Sequence, residues 1–218
     1  MSAAAEAHGH GGHGPAHGHG DANLHPPPIH YSSRINPVIV GIFLFIGSEI
    51  MLFGSFFTVY FFDRVVVNAP HWPPISPSGI PYERPWFVAL VNTCILVTSS
   101  FTMHWATTSV KKGNRAGLCA GMTLTFLLGL TFLLTQVVEY HRIGFNTSDT
   151  AFAATFFGLT GLHGFHVFVG LLILLAMTVR SYRGHFTPED HRGIEVGGIY
   201  WHFVDVMWIV VYVTVYVL

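Results

Sequence analysis

The chain has 218 residues, 51% of them hydrophobic and only 10% charged, with a formal net charge of −1. Water-soluble domains carry about 25% charged residues. The composition therefore excludes an ordinary soluble enzyme, gives no electrostatic footing for a nucleic-acid partner, and points to an integral membrane protein.

Residues 1–33, "MSAAAEAHGHGGHGPAHGHGDANLHPPPIHYSS", come first. This stretch is rich in His, Gly and Pro and has no apolar face to bury, so it is expected to be a disordered tail. His8, His10, His13, His17 and His19 within it are candidate ligands for a divalent metal, or buffers of protons near a membrane surface. The tail carries no apolar core segment of a signal peptide, and the membrane address is expected from the first span. Five apolar segments follow, at about 36–62, 86–110, 116–140, 149–180 and 194–218, each longer than the roughly 20 residues a span requires. Pro37 suits a first helical turn. "KKGNR" reads as a tight turn between the second and third spans, and Ser148 or Asp149 reads as the N-cap of the fourth. Asn146-Thr147-Ser148 matches a glycosylation sequon but is expected to open that helix. The predicted fold class is all-α: a polytopic membrane bundle of five transmembrane helices.

Lysines and arginines set the expected orientation. With the N-terminus inside, Arg34, Lys111, Lys112, Arg115, Arg180, Arg183 and Arg192 fall on the inner face, and Arg64, Arg84 and Arg142 on the outer. Positive charge accumulates on the cytoplasmic side, so the N-terminus is expected there and the C-terminus opposite. Gly117 and Gly121, Gly193 and Gly197, and the series Gly158, Gly161, Gly164 have spacings that allow close helix contact. Cys94 and Cys119 are expected at different depths, as small buried residues and not as a disulfide.

The polar residues within the spans are few: Glu49, Asn92, His104, Gln136, Glu139, His163, His166, His202 and Asp205, with Glu195 at an edge. A carboxylate at a bilayer centre costs on the order of 2.5–3.5 kcal/mol on insertion scales, so each must face protein, water or a partner. His163 and His166 lie three apart on one helix face, as do His202 and Asp205. A membrane di-iron site would need Glu-x-x-His motifs from several helices, and none occurs in any span. No spacing singles out a haem ligand. Glu49, Glu139 and Asp205 are candidates for proton relay, yet they sit on three different spans without a ladder of partners. Asp205 reads more simply as hydrogen-bonded to a neighbouring His, Trp or Tyr. Glu49, in "IGSEIMLFG", has only Ser48 as a close polar neighbour in sequence. No nucleophile elbow, Walker loop or HExxH motif is present, so no catalytic residue is assigned.

Long ordered stretches carry a resemblance: "GSEIMLFGSFFTVYF", "NTCILVTSSFTMHWATTSVKKGNR", "VVEYHRIGFNTSDTAFAATFFGLTGLHGFHVFVG" and "RSYRGHFTPEDHRGIEVGGIYWHFVDVMWIVVYVTVYVL". From about Asn36 to the end the chain resembles subunit III of the haem–copper oxidases, in the five-helix bacterial form that lacks the first two helices of the seven-helix form. The strongest segments are "TGLHGFHV" and "YWHFVDVMW".

The resemblance implies a non-catalytic subunit of a bacterial aa3-type cytochrome c oxidase, in which haem and copper belong to partner chains. It implies packing on subunit I, with subunit II and a small subunit IV in the same complex and cytochrome c as donor. It further implies bound phospholipid and support of proton uptake, oxygen access and turnover stability, in a bacterial inner membrane. Glu49 then matches the family's buried acidic residue, and Arg180, His185 and Thr187 in "RSYRGHFT" match positions that contact lipid head groups, where Arg offers a fork of donors to phosphate. Glu139, His163, His166, His202 and Asp205 remain as buried polar residues of structural or functional role. The open alternatives are the equivalent subunit of a quinol oxidase or nitric oxide reductase complex, and, from another class, a free-standing membrane transporter. Against the last, no inverted repeat or broken-helix pair is visible.

Overall fold

A computed structural model describes residues 37–67, 86–144, 146–188 and 190–218. The His-rich tail, with its candidate metal ligands, lies outside the described residues, as do Arg34 and Arg84. The described residues are 88% helical and contain no strand. Five helices appear: α1 (Pro37–Phe62), α2 (Trp86–Lys111), α3 (Arg115–Arg142), α4 (Ala151–Tyr182) and α5 (Arg192–Tyr212). A wider π-type turn extends α1 through Asp63–Val67, and another extends α5 through Val213–Val217. All five are long and apolar enough to cross a membrane.

Local chemistry explains the boundaries. Pro37 opens α1, where its missing N–H costs nothing. At "KKGNR", Gly113 takes φ +72°, and Asn114 N–H bonds back to Ser109 O at 2.9 Å, closing the end of α2. Asn114 then caps α3 by accepting from Gly117 N–H at 3.0 Å. The start of α4 differs from the sequence expectation. Asp149 accepts from Asn146 N–H at 2.8 Å, so its carboxylate closes a turn; Thr150 is the N-cap, accepting from Ala153 N–H at 3.1 Å. The sequon residues thus form that turn and not the first turn of the helix. Gly184, at φ +76°, ends α4, with His185 N–H bonded to Arg180 O at 3.1 Å.

Helices α2 to α5 pack as a bundle in which α2 neighbours α3 and α5, and α4 neighbours α3 and α5; α1 lies on the outside, against α4 and α5. Glycines let the bundle close. A Cβ on Gly121 would stand 2.8 Å from Ala106 Cβ, and one on Gly117 would stand 2.7 Å from Ser109 Oγ, so α2 and α3 meet almost backbone to backbone. Gly197 meets Met177 and Gly158 meets Phe56, but Gly164 has open space and Gly161 only ordinary contact. The every-third-residue series therefore works at one position of three.

Trp201 is the keystone. Its indole lies where side chains on Gly129 of α3 and Gly170 of α4 would be, at 2.5 and 2.9 Å from the missing Cβ positions. Its Nε1–H donates to Ser99 Oγ of α2 at 3.0 Å. Two turns on, Trp208 repeats the scheme. Its Nε1–H donates to Thr93 Oγ1 of α2 at 3.0 Å, and its ring packs on Phe132 of α3 and His163 of α4 at centroid distances of 4.8 and 4.9 Å. Each tryptophan thus joins all four bundle helices. Cys94 departs from expectation: it faces outward, and Cys119 is half-buried.

Candidate functional site

Three polar groupings occupy the interior and one lies at an end. The first links α1 to α4. Glu49, midway along α1, places Oε2 2.8 Å from His166 Nε2. His166 Nδ1 lies 2.8 Å from Leu162 O. A carbonyl only accepts, so Nδ1 carries a proton and donates it. One proton then remains to be shared across Nε2 and Oε2, and the pair is neutral overall whichever atom holds it. This is how α1 accommodates a carboxyl at mid-span. Ser48, the neighbour in sequence, does not serve Glu49; its hydroxyl donates to Phe45 O at 2.7 Å. Phe53 packs on the His166 ring at 5.3 Å and Phe56 sits on Gly158, so Glu49, Phe53 and Phe56 form one docking edge. Tyr200 of α5 donates to His166 O at 3.2 Å and ties this edge to the bundle.

The second grouping joins α2 to α5. Ser100 Oγ donates to Asp205 Oδ2 and lies 3.0 Å from His202 Nδ1. The hydroxyl has one proton, already given to Asp205, so His202 Nδ1–H donates to Ser100 Oγ. Asp205 is buried and His202 half-buried. His202 and Asp205 share a face, as their spacing predicts, but the residue that connects them, Ser100, gave no signal in the sequence. His104 of α2, exposed, stands in electrostatic range of His202.

The third is a set of buried polar side chains toward the opposite end: Asn92, Gln136, Glu139 and His163, with Tyr216 from the C-terminal turn. His163 and His166, although three apart, serve different neighbours. His166 faces α1, whereas His163 packs among Phe132 and Trp208.

The last grouping is the end where α2 meets α3 and α4 meets α5. It gathers Lys111, Lys112, Arg115, Arg180, Arg183 and Arg192, while Arg64 and Arg142 lie at the other end. Lys111 pairs with Glu195 at 2.8 Å, and Arg115 donates to Tyr182 O at 2.6 Å. Arg180 lies 5.5 Å over the Phe186 ring. His185 is exposed beside it, and Thr187 Oγ1 accepts from Asp190 N–H at 3.1 Å, leaving its own proton to donate. Among the described residues no group of three or more His, Cys, Asp or Glu side chains converges as a metal site.

Of the cross-helix hydroxyls of α2, Ser99 and Thr93 carry a faint signal in the sequence and Ser100 none. Ser99, Ser100 and Thr93 read as ordinary helix hydroxyls, and many hydroxyls here do bond back to their own helix, as Thr178 does to Leu174 O. Only the paired tryptophans of "YWHFVDVMW" mark which hydroxyls reach across.

A five-span helical bundle in which Glu49 meets His166 and Ser100 meets His202 and Asp205 across helices, and which presents one cation-rich end, defines a polytopic membrane subunit. The family model for cytochrome c oxidase subunit III matches residues 29–218. Cytochrome c oxidase subunit 3 of Loxodonta africana is 37% identical over 195 residues, covering 88% of this chain and 72% of the relative. The proteins of the same name from Pisaster ochraceus and Gallus gallus are 38% identical over 190 residues and 39% over 179, covering 86% and 81% of this chain and 72% and 67% of the relative. The chain belongs to the cytochrome c oxidase subunit III family, and is a transmembrane subunit of a respiratory oxidase complex.

Proposed function

We propose that the chain is the non-catalytic subunit III of a bacterial aa3-type cytochrome c oxidase, packed on subunit I and stabilising that enzyme during turnover. The observation that carries this reading is how the mid-span ionisable groups are used. Glu49 is committed to His166, and Asp205 and His202 to Ser100. Groups spent on holding helices together suit a scaffold; haem and copper then reside in partner subunits. The cation-rich end faces the cytoplasm by the positive-inside rule, which puts the C-terminus in the periplasm. His104 supports contact with subunit I. An exposed imidazole within a span is costly against lipid, so a partner chain covers the α2–α5 face that carries it. At the cytoplasmic end Arg180, His185 and Thr187 supply donors to a phospholipid phosphate, with Phe186 holding the guanidinium in place. In this role the subunit supports proton uptake and oxygen access without binding the electron donor.

The test is purification from native membranes through a tag on this chain. A haem-bearing subunit I is expected to accompany it. Removal of the chain is expected to leave the initial rate of oxygen consumption largely intact and to shorten its lifetime during turnover. Recovery of the chain alone, or immediate and complete loss of oxygen reduction on its removal, would overturn the reading.

A further inference from the structure

We propose that the half of the α2–α5 bundle opposite the cation-rich end encloses a hydrated polar chamber, a site for a small cluster of bound waters that gives the Glu139 carboxyl contact with the aqueous phase. The lining comes from all four helices: Asn92 of α2, Gln136 and Glu139 of α3, His163 of α4, and Tyr216 of the turn that extends α5. All five side chains are buried, His163 to 1% and Gln136 to 2% exposure.

None of nine polar atoms here has a hydrogen-bond partner: two each on Asn92, Gln136, Glu139 and His163, and the Tyr216 hydroxyl. The Gln136 amide lies beside the Tyr140 and Tyr216 hydroxyls without closing a hydrogen bond to either, and Glu139 faces the same two tyrosines. Buried polar atoms without a protein partner are the ones that internal water serves.

Elsewhere among the described residues of α2–α5 the unpaired buried atoms are single ones, Asp205 Oδ1 and His191 Nδ1, each on a side chain whose other polar atom is bonded. Toward the cation-rich end Thr102 meets Thr125 at 2.8 Å, Thr123 meets Tyr182 at 3.1 Å, and Trp201 is satisfied by Ser99. Each buried polar group left unpaired costs about 1–3 kcal/mol. Nine of them would consume a stability of about 5–15 kcal/mol. Internal waters make about three hydrogen bonds each, so on the order of three of them would satisfy the set. Phe132 and Trp208, both fully buried, pack on His163 and form an apolar floor toward mid-membrane. The other end, at Glu139 and Tyr140, is close to where α3 terminates at Arg142. The donor set favours water over a cation, because one carboxylate is accompanied by two amide N–H groups and an imidazole.

The test uses the full chain as purified from membranes with the subunits that accompany it. Radiolytic hydroxyl-radical labelling modifies side chains next to bound water even when they are buried. His163 is expected to label several-fold faster than Trp201, which is intrinsically more reactive but sits in the dry part of the bundle. In parallel, in buffer acid enough for the Glu139 carboxyl to carry its proton, the infrared carbonyl band lost in Glu139→Gln is expected to shift fully within the mixing time of transfer to D2O. Labelling of His163 no faster than Trp201, or a Glu139 band that stays unshifted over hours, would overturn the proposal. Neither readout depends on oxidase activity, so the result stands apart from the assignment of the complex.

Discussion

Helices α1 and α4 have the same apolar character by composition, yet 6% of the most apolar part of α1 is buried within the chain against 44% for α4. Their glycines differ in the same way. Gly41, Gly47 and Gly54 of α1 have nothing within 4 Å of where a Cβ would stand, whereas Gly129 and Gly170 of the bundle are filled by one indole. Hydropathy decides that both helices enter the membrane. Small residues opposite large rings, and hydroxyls opposite indoles, decide which of them becomes core.

Trp201→Ala breaks the bundle side of this comparison most severely. Removing a fully buried indole should cost about 3–5 kcal/mol. The thermal midpoint of the purified protein should fall accordingly, and the Ser99 hydroxyl should lose its cross-helix donor. An unchanged midpoint would mean that the four helices are not held through this ring.

Matched glycine substitutions come next. Gly129→Val puts a branched side chain where Trp201 already is and should destabilise by about 1–3 kcal/mol through overpacking. Gly47→Val meets open space and should stay within about 0.5 kcal/mol of wild type. Equal effects from the two, in the same melting experiment, would remove the distinction between an outer and an inner helix.

The tie between the two regions is Glu49 to His166. Glu49→Ala should leave the imidazole Nε2 unpaired at a cost of about 1–3 kcal/mol. The loss should appear as faster hydrogen exchange across residues 37–67 with α2–α5 unaffected. Glu49→Gln should retain most of the protection, because Nδ1 is committed to Leu162 O and Nε2 can accept from the new amide. If Gln behaves like Ala, the shared proton, and not the hydrogen bond as such, holds α1 in place.

What the sequence disclosed follows the range of each interaction. Spans, the "KKGNR" turn and the Gly117–Gly121 contact were readable because apolar runs, turn glycines and i, i+4 spacing are local. The cap of α4 lies one or two residues beyond Ser148 and Asp149, since Asp149 and Thr150 compete as cap and Asp149 is used by Asn146. Glu49 stood isolated in its own segment because its partner is 117 residues away. Ser100 gives no local signal for the same reason: it lies 105 residues from Asp205. Gly129 and Gly170 belonged to no recognisable spacing because each is matched to a ring on another helix, and not to a second glycine on its own.

Among the bonds between helices the smallest effect is expected at the cation-rich end, where the bundle looks most elaborately bonded. Lys111 and Glu195 join α2 to α5 at 2.8 Å, with His191 adding a contact to Glu195 at 3.3 Å. The two paired side chains remain 52% and 34% exposed. Water screens such charges, and holding two long side chains in place costs entropy, so Lys111→Ala should change stability by less than about 1 kcal/mol. The same end is also closed by Arg115 on the Tyr182 carbonyl and by the Asn114 cap, neither of which involves Lys111. A double-mutant cycle on Lys111 and Glu195, run at low and high salt, separates the pair from its neighbours. A coupling larger than the Glu49→Ala loss would invert this order of effects. It would make the exposed charged end, and not the interior rings and hydroxyls, the principal fastening between α2 and α5.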